Sequence, residues 1–443
     1  MITLLNYLLI STAFGGAFLL PSSLAIEFPV NYFFIVIFLA YYVYRFRRID
    51  VNRNFFIIIM ALALVSLVKA GFGNTTVLLL SKQLFGITFT GIGYYLLIKI
   101  NNYDVQRIFK TYFVFAFIVA ILGVVQEASF LLKFKYGYDL HYIMRYTGIS
   151  SKWAFSRADC GLLRINSVFM EPAHFAITMA PAFFVSLCAL VSRKSFLHEN
   201  TKAVIAASCV IVVSYFLTFS TVAYIATLVS VIMIVARYIR SKSVICVSIS
   251  ALLMLTYASY AYVPEFRERT NAVMALIREP DKHVHLNLSV FALTSNAVVA
   301  YQSLKNDPLF GSGLGSHPVS YDKFMSTPEA KIFLGGYAGA INKNDACSLL
   351  VRLFSETGLL GVIMAIYFVI RYRLKLKEND SLPVISHAIL VLFIVQLLRQ
   401  GHYFYNGFLL FGWLYYFSNR IYNKEKSFSV SKENGQDHCR ISG

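Results

Sequence analysis

The feature that most constrains the fold of this chain is a succession of long apolar runs. A helix needs about 20 apolar residues to cross the hydrocarbon core of a bilayer. Twelve runs approach or exceed that length, near residues 4–20, 29–44, 55–71, 76–98, 111–131, 172–192, 203–219, 221–236, 243–262, 346–370, 383–398 and 402–418. We therefore expect an all-α integral membrane protein with about twelve transmembrane helices.

Basic residues follow every second run, in six clusters. They are Arg45/Arg47/Arg48/Arg53, Lys99/Arg107/Lys110, Arg193/Lys194/Lys202, Arg237/Arg240/Lys242, Arg371/Arg373/Lys375/Lys377 and the tail from Arg420 to Arg440. Lys and Arg are enriched on the cytoplasmic side of membrane proteins. The alternation predicts that both termini are cytoplasmic, with one polytopic membrane domain over 1–422 and a polar cytoplasmic tail over 423–443. Most of the net charge of +18 is then an orientation signal, and nucleic acid is not an expected partner.

Two long segments, about 132–171 and 263–345, face the opposite side, which the charge pattern makes extracytoplasmic. The first carries Arg145, Arg157 and Arg164 against the positive-inside trend, and the planar guanidinium fork suits phosphate oxygens. We expect these arginines to bind an anionic substrate, unless the loop is simply solvated and its charges pair at the surface.

The second long segment contains three glycines at alternate positions, Gly311, Gly313 and Gly315, followed by His317. Glycines at this spacing allow backbone N–H groups to approach an anion closely. The alternative is a tight turn between short helices. His317 is a candidate base or phosphate ligand, although a single loop histidine is more often a surface residue.

A few charged residues fall within or beside the apolar runs. Arg352 and Glu356 are four apart in the tenth run and should pair along one helix face. Lys69, Lys82, Glu127 and Arg399 lie near span ends, where snorkelling of the side chain explains most such charges. The sequence contains no HExxH motif and no His or Cys cluster with metal-ligand spacing, so we predict neither a metal nor a cofactor.

Three stretches together resemble the O-antigen polymerase and ligase superfamily of bacterial envelope-glycan enzymes. They are 164–176 (RINSVFMEPAHFA), 306–315 (NDPLFGSGLG) and 345–361 (DACSLLVRLFSETGLLG). Each motif is short, and their order and spacing along nearly the whole chain carry the match.

The resemblance implies a metal-independent glycosyltransferase on the periplasmic face of the bacterial inner membrane. The donor would be an undecaprenyl-pyrophosphate-linked oligosaccharide and the acceptor a sugar hydroxyl. In a polymerase of the O-antigen type the acceptor is another repeat unit, and in a ligase it is the lipid A core. Membrane lipid would surround the protein, and whether a chain-length regulator protein is a partner stays open.

The resemblance also directs the choice of site residues. Glu171, His174 and His317 are the catalytic candidates. Arg145, Arg157, Arg164 and the three glycines are the pyrophosphate-binding candidates, and Asp345, Arg352 and Glu356 are supporting residues. Glu171 could alternatively be a charge favoured by the helix dipole just before Pro172.

Asn344 and Asp345 stand where the ligases carry a His-Asn pair, and this difference favours a polymerase over a ligase. A polysaccharide flippase or other transporter is the competing class, since twelve spans with internal termini suit it. Against a transporter, the halves of the chain show no symmetry and the two external loops are long.

Overall fold

The computed structural model describes residues 2–19, 29–140, 150–151, 156–158, 160–197, 200–238, 288–326, 341–375 and 380–440, with isolated positions between 250 and 274. Arg145 and most of the span predicted near 243–262 lie outside the described residues.

The described chain is mainly helical. Its helices are α1 Ile2–Ser11, α2 Phe33–Phe46, α3 Arg53–Gly71, α4 Val77–Ile100, α5 Val105–Leu131, α6 Lys135–Tyr138, α7 Pro172–Ser192, α8 Thr201–Phe216, α9 Thr221–Tyr238, α10 Leu288–Asn306, α11 His317–Met325, α12 Leu349–Tyr372, α13 Ser381–Leu398 and α14 Phe408–Arg440. A two-residue strand, β1 Phe18–Leu19, pairs antiparallel with β2 Ser150–Ser151.

Six of the described helices are long and apolar enough to cross a membrane: α3, α4, α5, α7, α12 and α13. Shorter apolar helices, which include α1, α8 and α9, accompany them. An all-α membrane protein is therefore the architecture that these helices indicate.

The first apolar run forms a shorter helix than the sequence predicts. Its helix α1 ends at Ser11, and the chain then turns into β1. Gly15 and Gly16 lie at this turn, and a Cβ atom on Gly16 would stand only 2.7 Å from Asn406 Oδ1. The glycines therefore allow the chain to leave the helix and pack closely against a later segment.

The helices differ in how deeply they are buried. Helices α7 and α13 pack against each other at the centre, and α7 also packs against α8 and α9. Aromatic contacts fill this core, for example Phe183 stacked on Tyr215 with ring centroids 4.1 Å apart. By contrast α3 and α12 leave most of their apolar surface exposed, as expected for helices that face lipid.

Candidate functional site

Five polar residues from three separate segments meet at one place, which we call the accessible cluster. They are Glu171 and His174 at the start of α7, Asp345 just before α12, and Arg399 and His402 just after α13. Each of the five keeps some exposed surface, with the Glu171 side chain the most exposed of those in ion pairs.

Hydrogen bonds join the two turns that carry Asp345 and Arg399. The Gln400 N–H donates to Cys347 O at 2.8 Å, and Ser348 Oγ donates to Leu397 O at 2.6 Å. Ala346, Cys347 and Gln400 adopt left-handed backbone angles, with φ of +59°, +61° and +71°. Non-glycine residues adopt this conformation at a cost of about 1–3 kcal/mol each, and such strain is concentrated at functional sites.

Glu171 is the residue that precedes α7, and Pro172 occupies the first helical position. Its side chain makes no capping hydrogen bond to the helix and is 45% exposed. Instead the carboxylate faces Arg399, with Oε2 3.9 Å from Nη2. The helix-dipole explanation and a chemical role are therefore compatible, because the carboxylate at this helix start is also turned toward a cation.

Asp345 occupies a more enclosed position than Glu171. Its Oδ1 accepts from the Cys347 N–H at 3.3 Å, and its Oδ2 lies 3.9 Å from Nε2 of His402. Burial raises the pKa of the Asp345 carboxyl above its ordinary value, although Arg352, Arg399 and His174 nearby oppose this shift. The cluster thus contains two carboxylates in different environments, an arrangement that lets neighbouring acids hold different protonation states.

Behind the accessible cluster is a second polar group, which we call the buried network. It consists of Arg352, Ser355 and Glu356 on α12 with Asn296, His317 and Tyr403. The predicted i, i+4 pair is present, with Arg352 Nε donating to Glu356 Oε1 at 3.0 Å. Tyr403 Oη donates to the other oxygen of Glu356, also at 3.0 Å.

Arg352 connects the buried network to the segment that carries Arg399 and His402. Its Nη1 donates to Gly401 O at 2.9 Å, and its guanidinium lies over the Tyr403 ring, 4.7 Å from the centroid. The side chain is fully buried, and Nη2 has no hydrogen-bond partner among the described residues. Arg352 therefore holds residues 401–403 in place through its contacts with Gly401 and Tyr403.

His317, the candidate base or phosphate ligand of the second long segment, is fully buried and is not a surface residue. Its Nδ1 pairs with Ser355 Oγ at 2.7 Å, and its Nε2 pairs with Asn296 Oδ1 at 2.8 Å. Burial, with a smaller contribution from the Arg352 charge, lowers the pKa of His317 to about 3. The ring is thus neutral at physiological pH, both nitrogens are occupied, and a substrate hydroxyl has no access to it.

The glycine segment 311–315 packs against a kink in α12 at Gly358, where φ is +62° and ψ is −160°. The N–H groups of Ser312 and Gly313 donate to Ser355 O and Glu356 O, both at 2.9 Å. A Cβ atom on Gly311 would lie 2.6 Å from Gly358 N. These two N–H groups are hydrogen-bonded to α12 and do not point to an anion. The segment therefore forms a tight turn, which was the alternative to the anion-binding nest.

The other loop arginines are not joined to the accessible cluster by any contact of the described residues. Arg157 is exposed and lies over the Phe130 ring, 5.2 Å from its centroid. Arg164 Nε is buried, and the described part of the chain offers it no hydrogen-bond acceptor. The neighbouring Leu163 N–H donates to both carboxylate oxygens of Glu127, which therefore anchors this loop rather than snorkelling.

Sequence reasoning missed Arg399 and His402. Because Arg399 lies near the end of an apolar run, the sequence indicates a snorkelling residue. In the structure its side chain faces Glu171. It also donates a hydrogen bond from Nη1 to Cys347 Sγ at 2.6 Å. The signal that could have found them is the polar sequence Arg399-Gln400-Gly401-His402 between two apolar runs.

Among the described residues, no group of three or more His, Cys, Asp or Glu side chains is arranged to hold a metal ion. Comparison with protein-family models finds no match to this chain, and comparison with curated proteins finds none either.

Proposed function

We propose that the chain is a polysaccharide polymerase that joins lipid-linked oligosaccharide repeat units. The donor is an undecaprenyl-pyrophosphate-linked glycan, the acceptor is a sugar hydroxyl, and the product is an O-antigen or a related surface polysaccharide. In this proposal about twelve helices cross the bacterial inner membrane, both termini are cytoplasmic, and the reaction occurs on the periplasmic face. The observation that carries the proposal is the accessible Glu171–Arg399 pair, with Asp345 and His402 beside it.

Glu171 has the properties that the transfer requires of a base. The acceptor hydroxyl must lose a proton as its oxygen attacks the anomeric carbon of the donor. Glu171 is half exposed, and its carboxylate is committed to no cap. In the proposed step Glu171 takes the hydroxyl proton, the new glycosidic bond forms, and the bond between the anomeric carbon and the pyrophosphate oxygen breaks.

Arg399 supplies the positive charge that the leaving group requires. The pyrophosphate departs with additional negative charge, which a guanidinium stabilises by parallel hydrogen bonds. Arg399 stands 3.9 Å from Glu171, so base and cation can act on the same substrate. Arg164, whose Nε lacks an acceptor among the described residues, is the second proposed pyrophosphate ligand.

His174 and Asp345 complete the proposed site as charge-setting groups. The ring of His174 lies within electrostatic reach of Glu171, Arg399 and Asp345. Asp345 faces His402 and lies two residues before Cys347 in the chain. The Cys347 Sγ atom accepts a hydrogen bond from Arg399. We assign these residues to holding Arg399 and His402 in place, and His317 and the glycine segment to the scaffold.

Deletion in the host followed by electrophoresis of the surface glycan tests this function. We expect loss of the ladder, with a single repeat unit still attached to its acceptor. Re-expression of Glu171→Gln or Arg399→Gln should not restore the ladder, whereas Glu425→Gln and Arg107→Gln, which change the same residue types at exposed positions elsewhere, should restore it. Loss of all glycan attachment in the deletion would instead indicate a ligase or a flippase and would contradict the proposal.

A further inference from the structure

A cavity at the far end of α12 carries a concentration of positive charge that the proposed reaction does not use. The cavity has a volume of about 530 Å³ and lies between the end of α12 and the middle of α14. We call it the basic pocket, and its lining residues are Arg371, Tyr372, Asn419, Arg420, Asn423 and Lys424. Three cations and two amides surround it, and the described residues contribute no carboxylate to its lining.

Two other groups of basic residues in the described chain contain acidic residues. Near the ends of α2 and α4, Asp50 neutralises two cations, with Oδ2 2.7 Å from Lys99 Nζ and Oδ1 3.6 Å from Arg48 Nε. A second cavity of about 590 Å³ shares Arg420 and Lys424 with the basic pocket and contains the carboxylates of Asp104 and Glu425. Arg371, Asn419 and Asn423 do not line that second cavity, and the described lining of the basic pocket holds no carboxylate.

The two arginines of the pocket are held by aromatic rings. Arg420 lies over the Tyr416 ring, 5.4 Å from its centroid, and Arg371 lies over the Tyr372 ring at 5.8 Å. A ring below a guanidinium restricts its orientation while leaving its N–H edge able to donate. Asn423 Nδ2 donates to Asn419 Oδ1 at 3.0 Å, which ties the amides on successive turns of α14.

The position of the pocket along α12 indicates which anion it meets. Arg352, behind the accessible cluster, and Arg371 are 19 residues apart on this helix, which corresponds to at most about 28 Å because the kink at Gly358 interrupts the helix between them. The hydrocarbon core of a bilayer is about 30 Å thick. Between them α12 exposes large apolar side chains, among them Ile363, Ile366 and Ile370. In the proposed topology the pocket therefore lies near the phosphate groups of the leaflet opposite the accessible cluster.

We propose that the basic pocket binds the phosphate headgroup of an anionic phospholipid from that leaflet. Basic pockets between membrane helices suit such headgroups, because Arg and Lys gain both charge and hydrogen bonds from the phosphate. Tyr372 and Tyr416 are amphipathic rings of the type found at this depth. The bound lipid holds the end of α12 against the middle of α14 and so stabilises the helix that carries Arg352.

Titration of the purified full-length protein in detergent with phosphatidylglycerol, monitored by native mass spectrometry, tests this site. We expect the wild-type chain to bind phosphatidylglycerol more tightly than phosphatidylcholine. The double variant Arg371→Gln/Arg420→Gln should bind it about 30-fold more weakly, because each arginine loses a charge-assisted hydrogen bond to the phosphate. Arg45→Gln/Arg47→Gln removes the same charge from the exposed end of α2 and should leave the affinity unchanged.

Two further measurements keep the proposal open to refutation. Arg371→Lys/Arg420→Lys retains the charge and should retain the preference for phosphatidylglycerol, and the thermal unfolding of the glutamine variant, expected to match that of the lysine variant, shows that it is folded. Equal weakening by both glutamine double variants would mean that the protein attracts anionic lipid through its general surface charge, and would overturn the site. Displacement of phosphatidylglycerol by millimolar inorganic phosphate would assign the pocket to a soluble anion and overturn the lipid.

Discussion

The accessible cluster and the buried network use the same kinds of side chain for different purposes. In the accessible cluster the charged atoms of Glu171 and Arg399 stand 3.9 Å apart, and the side chains are partly exposed. In the buried network the partners of His317 and Arg352 lie at 2.7–3.0 Å, and neither side chain is exposed. Long contacts with access to solvent leave bonding capacity for a substrate, whereas short enclosed contacts stabilise the protein.

The largest expected effect comes from breaking the buried network at its centre. Arg352→Ala leaves the Glu356 carboxylate buried without its cation, and removal of one partner from such a pair lowers the free energy of unfolding by about 3–5 kcal/mol. Thermal unfolding of the purified protein and its level in the membrane measure this loss. The double variant Arg352→Met/Glu356→Leu, which removes both charges, should recover more than half of it. Wild-type stability in the single variant would show that the network is not structural.

Local sequence patterns predict the charged pair at the centre of the buried network, but they do not predict its contacts with other segments. The spacing of Arg352 and Glu356 predicts their pairing, because residues four apart share a helix face. The apolar runs likewise predict the helical class, and Pro172 after Glu171 predicts where a helix begins. These are local patterns, and they are readable without knowing what the helix packs against.

The missed parts of the site depend on contacts between distant segments. Arg399 meets Glu171 across more than 200 residues of chain, through a turn in which Gln400 has a φ of +71°. The sequence does not show that His317 is buried, because its partners Asn296 and Ser355 lie in other segments. The kink at Gly358 lies within a run that reads as a continuous helix, and so the partner of the glycine segment is hidden from the sequence.

A glycine substitution tests whether the segment beside the buried network is structural. Gly311→Ala should lower the free energy of unfolding by about 2–4 kcal/mol, since the new Cβ atom meets backbone and the residue must keep a positive φ. Gly161→Ala is the matched control, because its φ is also positive, at +80°, but nothing lies within 4 Å of its Cβ position. That variant should lose only about 1 kcal/mol. Equal losses in thermal unfolding would refute the close contact with Gly358.

A substitution in the accessible cluster should produce the opposite pattern. Arg399→Gln should reduce polymer formation by about 100-fold, the loss typical of removing one group that stabilises developing negative charge. Its thermal unfolding should stay close to that of the wild type, because the side chain is partly exposed. Polymer formed from purified lipid-linked repeat units in vitro measures the activity. A variant that loses stability but retains turnover would place Arg399 with the scaffold.

Asp345→Asn gives the smallest expected effect, a change in how stability depends on pH. Since burial raises the pKa of Asp345, the unfolded chain releases this proton first as the pH rises above 3.8, and the free energy of unfolding falls until the folded pKa is passed. The amide that replaces the carboxyl in this variant cannot ionise, so this contribution to the pH dependence should disappear and stability at neutral pH should rise slightly. Unfolding curves across the acidic and neutral range that superimpose for both proteins would contradict the burial of this charge.

The turnover per folded molecule of Glu171→Gln against that of His317→Gln, in the same in vitro polymerisation, tests the central claim most directly. A base that abstracts the acceptor proton contributes about 100-fold or more to the rate. We predict a loss of at least that size for Glu171→Gln at unchanged stability, whereas His317→Gln loses stability and keeps its turnover per folded molecule. Normal turnover in Glu171→Gln, with turnover abolished in folded His317→Gln, would contradict the account and transfer the chemistry to the buried network.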